Sequence, residues 1–259
     1  MTEPARRESP LRIAQQYVAM LFIVGLFFLL CLSWLPFALL FLAVLPRRLG
    51  QRWGRYMIHL GFRTYLDLLA LFLPCRFDLS ELDQLSAEGA LIIAANHPSL
   101  LDAVLIVSRL PNTVCVMKAA LMNNVFFGAA ARLAAYIRND EPLAIILNSR
   151  QALQEGAQLL IFPEGTRSEN FPLDRCTAST GLIAWRSRIP VQTLLIDYST
   201  PYLSKAWGLR PPELPLQCRI RLGRCFSPER DVAAFTAELE AYFRAELGEK
   251  SPSTAACVI

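Results

Sequence analysis

Between Arg12 and Arg47 lies a run of 34 residues without a single charged side chain, IAQQ followed by YVAMLFIVGLFFLLCLSWLPFALLFLAVLP. No other feature restricts the fold as strongly. A soluble domain cannot hide so long an apolar stretch in water, and a secretory signal needs a shorter apolar core followed by small residues, whereas this run ends in LPRR. Drawn as one helix it would be about 50 Å long, against a bilayer core of about 30 Å. Pro36 sits two thirds of the way along, where a helix kinks or breaks. Arginines flank both ends, Arg6, Arg7 and Arg12 before and Arg47, Arg48, Arg52 and Arg55 after, so the positive-inside rule favours both ends on the cytoplasmic face. Length, proline and charge agree on a membrane-embedded helical hairpin over residues 16–46, behind a basic tail, residues 1–15. A single tilted span is the alternative.

Charge elsewhere supports a lipid surface as the partner. Up to residue 78 nine arginines face four acids, a net of +5, while the remainder carries 17 basic and 18 acidic groups, a net of −1. The positive excess thus flanks the apolar run, as expected for contact with phospholipid headgroups, and no base-reading helix or zinc-finger spacing points to nucleic acid. Seven scattered cysteines with no C-x-x-C pair form neither a disulfide framework nor a metal site. Within an interfacial amphipathic region over 47–78, residues 53–75 are apolar yet carry Arg55, Arg63 and Asp67, which suits an interfacial or buried helix. His59 reads there as a packing residue.

From residue 79 the pattern changes. Short apolar runs at 91–95, 113–117, 135–138, 158–162, 191–197 and 218–223 alternate with helical stretches at 100–109, 120–133, 142–155, 177–187 and 229–246. Such alternation predicts an α/β domain over 79–247, a mostly parallel sheet flanked by helices, closed by a short tail, 248–259. Ligands of such sheets gather at the carboxyl ends of strands.

Two motifs fall there. In NHPSLLD, His97 follows a buried-type strand, Ser99 is placed to cap the next helix, and Asp102 lies in or near that helix's first turn. The carboxylate can hold one imidazole nitrogen as N–H and leave the other to accept a proton. No G-x-S-x-G elbow supplies a nucleophile, so the pair suits a base that deprotonates a hydroxyl of the substrate. Ser99 as an acyl-carrying nucleophile is the weaker alternative. In FPEGTRS, Gly165 permits a tight turn, Arg167 offers a planar cation for phosphate, and Glu164 is placed either to accept from a polyol or to fix Arg167. Alone, each motif is also compatible with an ordinary turn.

As an ordered pair about 65 residues apart, behind a membrane segment, they resemble the glycerolipid acyltransferases, of the 1-acylglycerol-3-phosphate (lysophosphatidate) acyltransferase type. The resemblance covers roughly residues 16–200. It implies that His97, aided by Asp102, deprotonates the hydroxyl of a lysophospholipid acceptor, which attacks an acyl thioester of coenzyme A or acyl carrier protein. It implies phosphate and glycerol binding by Glu164 and Arg167, with Gly165 and Thr166 shaping the loop, and by a middle block in which Lys118, Gly128 and Arg138 stand in matching positions. No metal or other cofactor is implied beyond the thioester co-substrate. The active site is expected at the cytoplasmic face of a membrane, the inner one in a bacterium. The chain departs from the family in lacking an acidic residue after Lys118, where it reads KAAL, in lacking a lysine in DRCTASTGLIAW, and in keeping only Pro190 in its fourth block. Those departures leave open the same chemistry on another lipid acceptor, such as an amino-acid lipid or a pigment precursor. A non-catalytic lipid-binding scaffold is the remaining alternative.

Overall fold

The computed structural model describes residues 10–170, 172–200, 202–205 and 211–248. Most of the basic N-terminal tail and nearly all of the C-terminal tail expected from the sequence lie outside these residues.

The uncharged run is one helix, α1 (Pro10–Val44), which continues through Pro36. The hairpin expected inside residues 16–46 is therefore shifted along the chain. The reversal comes at Leu45–Pro46, and the second arm is α2 (Arg47–Phe72). Packing on both sides of Pro36 accounts for the unbroken helix. Before it, Phe27 and Phe28 meet Phe127 and Phe126, with ring centroids 5.8 Å apart in each pair. After it, Ala38 is buried with Ala129 and Leu133, and Trp34, Leu35 and Phe41 pack around them. Proline then lacks one helical donor, but both flanking segments keep their support.

Only one side of α1 is covered. Leu21, Leu29, Phe37, Leu40 and Val44 are exposed along its length. Each such side chain would gain roughly 1.5–3 kcal/mol on leaving water. The region 47–78 folds as α2, which buries Ile58, His59, Tyr65, Leu66 and Leu69, followed by strand β1 (Cys75–Asp78). His59 is a packing residue: its Nδ1–H donates to the Val107 carbonyl at 2.9 Å, beneath Tyr56.

A 3-10 turn, Ser80–Leu85, leads to β2 (Leu91–Ala95), α3 (Asp102–Val107), β3 (Thr113–Met117), α4 (Ala119–Met122), α5 (Val125–Leu133), β4 (Ile137–Arg138), α6 (Pro142–Gln154), β5 (Gln158–Ile161), α7 (Ser179–Ser187), β6 (Val191–Tyr198), β7 (Leu216–Phe226) and α8 (Val232–Gly248). The sheet order is β1-β7-β6-β2-β5-β3-β4, parallel throughout except where β7 runs antiparallel to β6. The helix expected over 120–133 is split at Asn123–Asn124, because Asn124 accepts from the Phe126 amide at 2.8 Å and starts α5 afresh.

Two apolar layers sandwich the sheet. Ile93, Ala95, Leu160, Leu194 and Ile196 face α1, α2 and α3, while Ile92, Ala94, Leu159, Ile161 and Leu195 face α6, α7 and α8. Strands β2 and β5 are buried on both faces, which explains their unbroken apolar runs. These two strands position the site.

Candidate active site

Strand register dictates which loop residues meet. Ala94 pairs with Ile161, a sequence offset of 161 − 94 = 67. The offset persists beyond the strand ends, so His97 falls beside Glu164, where 164 − 97 is again 67, and the His97 amide donates to Glu164 Oε1 at 3.0 Å. The second Glu164 oxygen accepts from the Asp174 amide at 2.9 Å. The Ser168 amide returns a bond to the His97 carbonyl at 2.8 Å. The NHPSLLD and FPEGTRS loops are thereby fastened to each other by two backbone amides, while the Asp174 amide braces Glu164 from its own segment.

The imidazole lies flat on Phe162, with centroids 3.8 Å apart and planes 13° from parallel. Its Nδ1 is 2.7 Å from Asp102 Oδ2. That oxygen also accepts from the Ser99 amide at 2.8 Å, and Oδ1 accepts from the Tyr198 hydroxyl at 2.8 Å. Asp102 is fully buried. Burial pushes its carboxyl above the usual aspartate value, and the bonds from His97, Ser99 and Tyr198 oppose that shift. The ring orientation fixes Nδ1 toward the carboxylate. Nε2 has no partner among the described residues, and the side chain keeps 16% of its surface exposed. The site thus holds one accessible nitrogen aimed away from a buried anion.

Ser99 is not presented as a nucleophile. It is 1% exposed, and its Oγ accepts from the Leu101 amide at 3.2 Å. The helix it was expected to cap begins later, at Asp102. The second motif turns as its residues suggest: the Gly165 amide bonds back to the Phe162 carbonyl at 2.9 Å, and Gly165 adopts φ +71°, where a side chain is strained. Thr166 follows in the same turn, half-buried.

Arg167 reaches the loop after β6, donating through Nη1 to the Leu203 and Ser204 carbonyls at 2.9 and 2.7 Å. Leu203 also accepts from the Leu100 amide at 3.2 Å, so the loops after β2, β5 and β6 share one knot. Burial lowers the Arg167 guanidinium below its ordinary value, and the nearby Asp102 charge opposes this. No Glu164–Arg167 ion pair forms among the described residues, and the remaining Arg167 nitrogens have no partner there.

The middle block sits farther along the same edge. Lys118 is exposed after β3, and Arg138 lies on β4, its guanidinium clamped on Asp140 at 2.7 and 3.2 Å and on Asn123 at 2.9 Å. Neither touches His97 or Glu164. Gly128 serves packing, since a Cβ there would collide with the Met122 carbonyl. Asn96 and Phe162 open the two motifs without an expected role, and Tyr198 and Asp174 lie outside both. Asn96 exchanges two hydrogen bonds with Ile196, at 2.8 and 3.0 Å, tying the motif to β6. Only knowledge that β6 neighbours β2 could have drawn attention to Tyr198.

Residues 76–197 match the protein-family model described as Acyltransferase. No curated protein matches the sequence significantly. The structure is similar to the crystal structure of the 1-acyl-sn-glycerophosphate (LPA) acyltransferase PlsC from Thermotoga maritima, with a TM-score of 0.69 and 16% identity over 96% of this chain and 99% of that one. At that identity the likeness is one of fold.

Proposed function

We propose that this chain, whose residues 76–197 match the Acyltransferase family model, moves a fatty acyl group from a thioester to the free hydroxyl of a lysophospholipid of the 1-acylglycerol-3-phosphate type. The observation that carries the reading is the His97–Asp102 bond, with Nε2 left open above a buried carboxylate.

In the proposed reaction, Nε2 takes the proton of the acceptor hydroxyl as its oxygen attacks the thioester carbonyl. The imidazolium is stabilised by Asp102, whose charge is already held by Ser99 and Tyr198. Collapse of the tetrahedral adduct breaks the C–S bond, and the departing thiolate takes the proton back from His97. Ester and free thiol form in equal amounts, and the residues are restored. The chemistry calls for no cofactor beyond the thioester itself.

Glu164 acts in this reading as a positioning residue. Its two oxygens hold the backbone on either side of the site, at His97 and Asp174, and leave lone pairs for a glycerol hydroxyl. Arg167 supplies the phosphate contact through its uncommitted nitrogens. Lys118 extends the positive wall, and Arg138 joins it only by releasing Asp140. The apolar face of α1 seats the protein in one leaflet on the cytoplasmic side, bringing the site to the layer where acceptor and acyl chains are concentrated.

The test is mass spectrometry of the products formed by purified full-length protein from lysophosphatidate and an acyl thioester, of coenzyme A or of acyl carrier protein. Diacyl product with stoichiometric thiol release is expected. Product only from a different acceptor in a lysolipid panel would reassign the substrate, and no acylation of any acceptor would leave the scaffold reading standing.

A further inference from the structure

At the opposite edge of the sheet a cavity of about 410 Å³ opens between the end of α1, the start of α2, α5 and α6. It is bordered by residues that precede strands, Tyr136 before β4 and Glu155 before β5, whereas His97 and Glu164 follow strands. It therefore belongs to the amino edge, away from the catalytic loops.

Its walls differ in chemistry. Phe41, Leu42 and Leu45 make one side apolar, and Arg47, Arg55 and Arg132 make the other cationic. Against these three arginines the lining holds one acid, Glu155, so the cavity is net positive by two charges. Arg55 is 4% exposed, and its partners are neutral oxygens: Nε donates to the Ala134 carbonyl at 3.1 Å and Nη1 to Asn112 Oδ1 at 3.0 Å. No carboxylate lies within ion-pairing range of it among the described residues. A buried charge in that state is costly unless an anion answers it. Arg47 likewise has no partner among the described residues. Burial lowers the Arg55 guanidinium from its ordinary value, and the charge of Glu155 across the cavity opposes this from beyond ion-pairing range.

We propose that this cavity binds the phosphate head group of an anionic membrane phospholipid, with Arg47 and Arg55 on the phosphate and the acyl chains leaving along Phe41, Leu42 and Leu45. A free phosphate ion shares the charge chemistry, but it would leave the apolar wall and most of the volume unfilled. The wall is the last turn of α1, whose outer side, through Phe37, Leu40 and Val44, stays apolar and exposed up to the mouth. A lipid in that leaflet is therefore already beside the entrance. The cationic cavity next to a membrane-seated helix is the arrangement that selects anionic head groups over zwitterionic ones. The inference rests on the membrane seating of α1 and not on the chemistry at His97.

The experiment measures thermal unfolding of the full chain in non-ionic detergent, with short-chain phosphatidylglycerol, short-chain phosphatidylcholine or inorganic phosphate added at matched concentrations. Phosphatidylglycerol is expected to raise Tm through selective binding to the folded state, and phosphatidylcholine is not. The concentration giving half the effect should rise about tenfold in Arg47→Gln, which loses one charge-assisted contact, and in Asn148→Glu, which adds an anion at the rim. Both positions are exposed, so the fold is preserved. His97→Ala should respond like the parent chain, which separates this site from the catalytic one. An equal effect of inorganic phosphate overturns the lipid assignment. An unchanged response in both cavity variants, or its loss in His97→Ala, overturns the site.

Discussion

The loops after β2 and β5 and the segments after β3 and on β4 occupy one edge of one sheet, yet they use their charged groups in opposite ways. In the first region, charged groups are buried and answered by distant parts of the chain. Glu164 braces backbone 67 residues earlier, and Asp102 takes a hydroxyl from a strand 96 residues later. In the second, Arg138 spends its guanidinium on Asp140, two residues away, exposed to water. The difference follows from strand order. Strands β2 and β5 are neighbours, with β6 on the other side of β2, so three loops converge and exclude water. Strands β3 and β4 end toward the sheet margin, where their loops lie open to solvent. Long-range hydrogen bonds to buried charges hold geometry, whereas exposed local pairs contribute little.

Substitutions can break this contrast. The largest effect is expected from His97→Ala, which should lower kcat about 10²–10⁴-fold, the usual worth of a positioned base, with Tm nearly unchanged. Turnover within tenfold of the parent would remove His97 from the chemistry. Next comes Asp102→Asn, expected to cost about 10²-fold or more in kcat through the wrong imidazole tautomer. Because it removes a charge from a fully buried site, it should keep the fold intact, which circular dichroism would check.

Glu164→Gln is expected to act more weakly on rate, about tenfold, by loosening the loop that carries His97. Its clearer signature is pH-dependent stability. Burial raises the folded-state value of Glu164, so its contribution to stability is full below the ordinary glutamate value of 4.5 and is lost as pH rises through the raised value. Denaturant titrations from pH 4 upward should show the parent chain losing more stability with rising pH than the variant. Equal slopes would mean that Glu164 is not the buried acid described. The smallest effect belongs to Arg138→Ala. With its fork tied to Asp140 in solvent, kcat should stay within about threefold, and stability within about 0.5 kcal/mol. A large rise in KM for the phosphate-bearing acceptor would instead show that Arg138 leaves Asp140 to reach substrate.

Much of the fold was legible in the pattern of apolar residues. Strands β2 and β5 follow from runs that are buried on both faces, β3 from a similar apolar run, and α6 and α7 from the helical stretches on either side of β5. The long apolar helix was equally plain, but where the chain turns was not. Pro36 is a local breaker, and the sequence does not show that α5 packs on α1 before and after it. Strand β7 was expected over 218–223, but its full length and antiparallel direction were not, because pairing direction leaves no mark on a single strand, and the short β1 was missed. Within the site, His97, Asp102, Glu164 and Arg167 stood out by residue type and position, while Tyr198 and Asp174 carried no signal.

What the sequence determined alone was the chemistry on offer: an uncharged run too long for water, and a histidine, two acids and an arginine placed just after buried strands. Those are local properties, set by side-chain type and by the period of the apolar pattern. Tertiary structure decided which of these groups meet. The register of β2 against β5 brings Glu164 to His97, the position of β6 brings Tyr198 to Asp102, and burial raises both carboxyls against the hydrogen bonds that support their charge. It also produced the arginine cavity, which no motif marks, because Arg47, Arg55 and Arg132 come together only where α1, α2 and α5 pack.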